Sequence, residues 1–143
     1  MDTIEQLTQV FYDNFMAYFK SHVSHVNITG RNFVSDHELL NGIYDSLQDQ
    51  IDMIGELLRS LDAFMPTSIK EITENSVIND EAVEGDSEEL ISGVLLDLEI
   101  LKEAHQNLIR IANEEGYDEI SNYAQDRVLA LAKQIWMIKS TLD

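Results

Sequence analysis

The sequence contains no cysteine, which excludes disulfides, thiolate metal sites and cysteine nucleophiles. It has a single proline, Pro66, and six glycines in 143 residues, a shortage of chain breakers that favours long helices over a strand-and-turn protein. No uninterrupted apolar run approaches the ~20 residues a membrane span needs. The opening residues Met1 to Glu5 show no basic region leading into an apolar stretch, as a signal peptide would. A soluble, cytoplasmic protein is the expectation. Basic residues are scarce: nine Lys and Arg stand against 27 Asp and Glu, a formal −18 at pH 7 spread over the whole chain. None of the nine precedes Lys20, so there is no basic N-terminal arm. Such a surface repels nucleic-acid phosphates and anionic lipid and attracts cations, so neither DNA nor a membrane is an expected partner. With 44% apolar residues the chain has the material for one packed domain, residues 1–143.

What is present in abundance is helical periodicity. Ile4, Leu7, Phe11, Phe15 and Tyr18 recur every three or four residues, and His22 and His25 continue the stripe within roughly an 80° arc. A second helix is predicted from about Ser35 or Asp36 to Ala63, with Leu40, Ile43, Leu47, Ile51, Ile54, Leu58 and Leu61 on its apolar face. Asp86 and Glu89, in capping-box spacing, open a third that ends before Gly116. A fourth carries Ile120, Ala124, Val128, Leu131, Ile135, Ile138 and Leu142. Short loops join helices one to two and three to four. Between two and three lies a long crossover, Phe64 to Gly85, in which Ser68 and Glu71 mark room for a short extra helix. Two hairpins joined by one long crossover make an all-α, ferritin-like four-helix bundle.

The second helix has a second stripe. His37, Asn41, Asp45, Asp49, Asp52 and Glu56 follow at steps of three or four residues, over roughly a 120° arc beside the apolar face. The bland reading is a solvated acidic face. Against it, like charges one turn apart destabilise a helix, and no lysine or arginine interrupts this row. A bound cation or a buried interface would account for its tolerance, and carboxylate with imidazole suits iron, zinc or manganese. His37 and Asp52 are fifteen residues apart, ~22 Å along a helix, and cannot hold one ion within a single chain. Two copies of this helix crossing antiparallel near Ser46 and Leu47 would bring the His37 end of one to the Asp52–Glu56 end of the other, giving two identical sites about a two-fold axis. In an antiparallel hairpin His25 could approach His37.

The segment His25-Val26-Asn27-Ile28-Thr29-Gly30-Arg31-Asn32-Phe33-Val34-Ser35-Asp36-His37-Glu38, with Asp52 and Glu56 downstream, resembles the signature of the Dps-type miniferritins. That signature has a histidine, a G-x-x-F segment, H-E twelve residues after the first histidine, and a later D-x-x-x-E. Ile135-Trp136-Met137 is similar to the family's tryptophan-methionine segment near the end of its last helix. The resemblance implies a dodecameric shell, with iron held by His25 and His37 of one subunit and Asp52 and Glu56 of its two-fold partner. It further implies oxidation of Fe²⁺ by peroxide or oxygen, and storage of ferric mineral within the shell. Two positions depart from the pattern: Val26 replaces a common tryptophan, and Asn41 replaces a common aspartate, which weakens a second iron position.

The expected function is therefore ferroxidase and iron storage, with iron at the subunit interface and no catalytic residues beyond the metal ligands. The alternatives are a metal-sequestering or structural shell with little turnover, and an acidic helical interaction module without metal. His22 is expected to be hydrogen-bonded rather than a ligand, His105 a core or interface residue, and Trp136 and the first helix's aromatics core. Asp118, Glu119 and Asp126 either line an acidic pore, as the resemblance implies, or complement a helix dipole.

Overall fold

Capping chemistry sets where the helices begin, and apolar periodicity sets which faces meet. The computed structural model describes all 143 residues. Helix α1 (Thr3–Asn27) is capped by the Asp2 carboxylate, which accepts from the Glu5 N–H. Helix α2 (Phe33–Ser60) starts two to three residues earlier than the spacing predicts, because Asn32 takes the cap position without a side-chain capping bond. The short α3 (Ile69–Asn75) in the crossover is capped by Ser68, as expected. Its Glu71 accepts from the Tyr12 hydroxyl (2.8 Å) instead of closing a capping box, which docks α3 onto α1. Helix α4 (Ser87–Glu115) has the full capping box from Asp86 and Glu89. It ends at Gly116, whose φ of +81° lies in the left-handed region that favours glycine, and α5 (Asp118–Leu142) follows at once.

The protein is all-helical: α1 packs against α2 and α4, α4 against α5, and α3 against α1. Each long helix buries one stripe in a continuous apolar core, including Leu7 and Phe11 of α1, Leu40, Leu47 and Ile54 of α2, Leu98, Leu101 and Leu108 of α4, and Leu131 and Ile138 of α5. Two buried amides tie the helices in register: Asn14 donates to the Leu47 carbonyl (2.9 Å) and Gln6 to that of Ala104 (3.0 Å). Asp13, fully buried on α1, anchors the crossover by accepting from the Val77 N–H (2.9 Å), the Ser76 hydroxyl (2.8 Å) and the Gln9 amide. No helix is long and apolar enough to cross a membrane.

One core expectation fails. Trp136 is 63% exposed, because Ile135 and Ile138 take the inward positions of α5 and leave residues 136 and 137 outside. Phe19 on α1 is likewise exposed, whereas Phe11 is buried and Phe15 and Tyr18 are half-buried.

Candidate metal centre

The α1–α2 hairpin brings His25, in the last turn of α1, against His37, in the second turn of α2. Their rings stack at 3.8 Å between centroids with an interplanar angle of 19°. Each Nδ1 lies 2.8 Å from the other's backbone carbonyl, a reciprocal pair of hydrogen bonds. A carbonyl oxygen only accepts, so both Nδ1 atoms carry a proton, and in the neutral imidazole the lone pair is then on Nε2. This is how a protein fixes the tautomer and aim of a metal-binding histidine. A lone pair lies in the plane of its ring, and two nearly parallel planes this far apart do not meet at one ion's bonding distance.

Around them is an aromatic shell. Phe33 stacks on the far face of His37 at 5.0 Å, and Tyr44 lies 4.9 Å from His25. His22 is stacked on Tyr44 (3.9 Å, 5°), and its Nδ1 is 3.1 Å from the Tyr18 hydroxyl. That arrangement supports the His25 ring from behind and gives His22 a partner of its own, matching the hydrogen-bonded role expected of it.

Asp52 and Glu56 are not brought to the histidines. With Asn41, Asp45 and Asp49 they are exposed along one face of α2, and no three His, Cys, Asp or Glu side chains converge within the chain. The two imidazoles thus lie at one end of α2 and the carboxylates farther along the same helix.

Several ionisable groups lie elsewhere, of which Asp97 and Arg127 were not marked by the sequence pattern. Asp97 on α4 is buried; burial raises its carboxyl to about 6, while Lys20, 3.8 Å away, pulls in the opposite direction. His105 is fully buried beside Tyr123, in the core as expected, and neither ring nitrogen has a partner. Burial, with the Arg127 charge adding to it, depresses its imidazole to about 3. Arg127 is itself buried on α5 with its Nε and one terminal nitrogen unpaired. Burial also raises the Asp36 carboxyl above the usual range. Asp118, Glu119 and Asp126 are exposed at the start of α5.

Comparison with known proteins agrees with the all-helical fold. The ferritin-like domain family matches residues 4–143. The DNA protection during starvation protein of Helicobacter pylori is 27% identical, with 99% of both chains covered. Antigen TpF1 of Treponema pallidum is 33% identical over 96% of this chain and 78% of that protein. Among solved structures, Dps from Listeria innocua superposes with a TM-score of 0.94 at 24% identity, covering 99% of this chain and 95% of that one. Helicobacter cinaedi CAIP gives 0.91 at 28% identity, covering 99% and 100%.

Proposed function

Because the chain belongs to the ferritin-like domain family, as a Dps-type miniferritin, we propose that it oxidises Fe²⁺ with peroxide or oxygen at a site shared between two-fold-related subunits and stores the ferric product inside a dodecameric shell. The iron is substrate and cargo, and its consumption together with the oxidant limits oxidative damage. The observation that carries the reading is the His25–His37 pair, whose Nδ1 atoms are tied to backbone carbonyls while the Nε2 lone pairs stay free.

In this reading His25 Nε2 binds one iron together with Asp52 of the partner subunit and Glu56 of the partner subunit. Two carboxylates neutralise the divalent charge and, being hard oxygen donors, favour the ferric over the ferrous state. His37 Nε2 serves the neighbouring position, which lacks a carboxylate of its own because Asn41, one turn along α2, is a neutral amide. The two positions are therefore unequal in affinity. The exposed acidic row on α2 is the face that meets its two-fold copy, and the acidic surface concentrates Fe²⁺ near the shell.

Asn41 also supports a second reading, a shell that sequesters metal with little turnover. Growth of ferric absorbance after adding Fe²⁺ and then peroxide separates the two. Ferroxidase function predicts oxidation within the mixing period that is lost in Asp52→Ala and in Glu56→Ala. Tight Fe²⁺ binding with oxidation no faster than in buffer would establish the sequestering shell.

A further inference from the structure

Asp36 has no role in the centre above. Although adjacent in sequence to His37, it faces the other way, towards α4 and α5. It lines two hollows, of about 350 Å³ and about 160 Å³, at the end of the bundle where α2 and α4 begin and α5 ends. The residue is only 6% exposed. No ion pair reaches its carboxylate. A buried carboxylate without a partner is costly and is normally compensated by a cation or by donors.

The walls supply neither lysine, arginine nor histidine. They supply oxygen instead: in the smaller hollow, Glu88 and Ser87 from the first turn of α4, Thr141 from the last turn of α5, and Asn32 from the loop before α2. We propose that this hollow binds a hard divalent cation of the Ca²⁺ or Mg²⁺ kind, with Asp36 as its buried anionic ligand and Glu88 as the second carboxylate. An all-oxygen set without imidazole suits such ions rather than the softer metals. Two carboxylates balance the divalent charge, and the hydroxyl and amide oxygens of Ser87, Thr141 and Asn32 complete the set with water. The bound ion would join the starts of α2 and α4 to the last turn of α5, and would pin the end of α5.

Trp136 provides the probe. It is the sole tryptophan of the chain and lines the larger hollow alongside Asp36, so Tb³⁺, a luminescent stand-in for Ca²⁺, would be sensitised by indole excitation when bound there. The assembled wild-type protein is titrated with Tb³⁺ under tryptophan excitation, then with Ca²⁺ as competitor. The expected result is saturable emission displaced by Ca²⁺, weakened about tenfold or more in Asp36→Asn and in Glu88→Gln. Asp36→Asn is nearly isosteric and removes an uncompensated charge, so folding is preserved. The emission should persist in the Asp52→Ala, Glu56→Ala double variant, which disables the iron centre. Absence of sensitised emission, emission unchanged in Asp36→Asn, or its loss in the double variant would overturn the proposal.

Discussion

Replacing His105 by leucine should change how stability depends on pH, by an amount the structure sets. The imidazole is fully buried between α4 and α5, makes no hydrogen bond, and is held at about 3 against an ordinary 6.5. The unfolded chain takes up a proton at this residue as pH falls through 6.5, whereas the folded chain does not until about 3. In that window the unfolded state binds more protons, so stability falls with pH, by about 1.4 kcal/mol for each unit. Between pH 6.5 and 5 the loss is about 2 kcal/mol from this one group. Leucine has a similar volume and no proton to bind, so His105→Leu should erase that slope, and it also removes two unpaired ring nitrogens at neutral pH. Asp97 runs the opposite way. Its folded carboxyl, raised to about 6 from 3.8, binds a proton before the unfolded one does. It therefore destabilises the fold most above pH 6, and this cost is relieved as pH falls through the same range. The assay is urea unfolding of the wild type, His105→Leu and Asp97→Asn at several pH values from 7.5 to 4.5. The stability gap between His105→Leu and wild type should widen by about 2 kcal/mol from pH 6.5 to 5, while the advantage of Asp97→Asn over wild type shrinks. Parallel curves for His105→Leu and wild type would refute the argument, since they would mean that the folded state protonates His105 as readily as the unfolded chain does.

Three further outcomes are expected. Asn41→Asp adds a carboxylate one turn from His37 and should tighten the weaker of two Fe²⁺ binding events in an anaerobic titration while speeding peroxide-driven oxidation; two equal events in the wild type, or no response, would remove Asn41 from the centre. Asp13→Ala strips the partners from the Val77 N–H and the Ser76 hydroxyl and should cost about 2–3 kcal/mol in denaturant unfolding, with earlier proteolysis in the crossover. Duplex DNA should show no gel shift at ~0.15 M salt without divalent cations, because a formal −18 per subunit, with nine Lys and Arg against 27 Asp and Glu, repels phosphates.

Much of the fold was legible because helix-forming signals are local. Apolar spacing gave the four long helices, and the Asp86–Glu89 and Ser68–Glu71 pairs gave two starts to the residue. The start of α2 was displaced because Asn32 makes no capping bond, while Ser35 and Asp36 imitate one. Trp136 was misplaced because its large apolar ring was read as a core residue, although the stripe of Ile135 and Ile138 already fills the inward positions there. In the metal centre, the twelve-residue interval and the hairpin were enough to pair His25 with His37. Their reciprocal bonds to carbonyls were not legible, since a backbone acceptor leaves no mark in a sequence. The same holds for Asp13, Asp97 and Arg127. Each is a polar residue inside the bundle whose surroundings come from distant positions, Val77 for Asp13 and Lys20 for Asp97. Asp36 was read as a helix-start signal, and its burial against α4 and α5 depends on packing that periodicity does not encode.

The central claim, that each iron centre takes histidines from one subunit and carboxylates from another, is tested most directly by subunit complementation. One variant carries His25→Ala and His37→Ala, the other Asp52→Ala and Glu56→Ala. Each alone should bind little Fe²⁺ and lack peroxide-driven oxidation. When the two are co-assembled in equal amounts, half of the two-fold interfaces are mixed, and each mixed interface holds one intact site and one fully broken site. Stopped-flow oxidation of Fe²⁺ by peroxide should then recover to about a quarter of the wild-type amplitude. Shells shown by native mass spectrometry to contain both variants, yet with no recovered oxidation, would contradict the account, as would full activity in either variant alone.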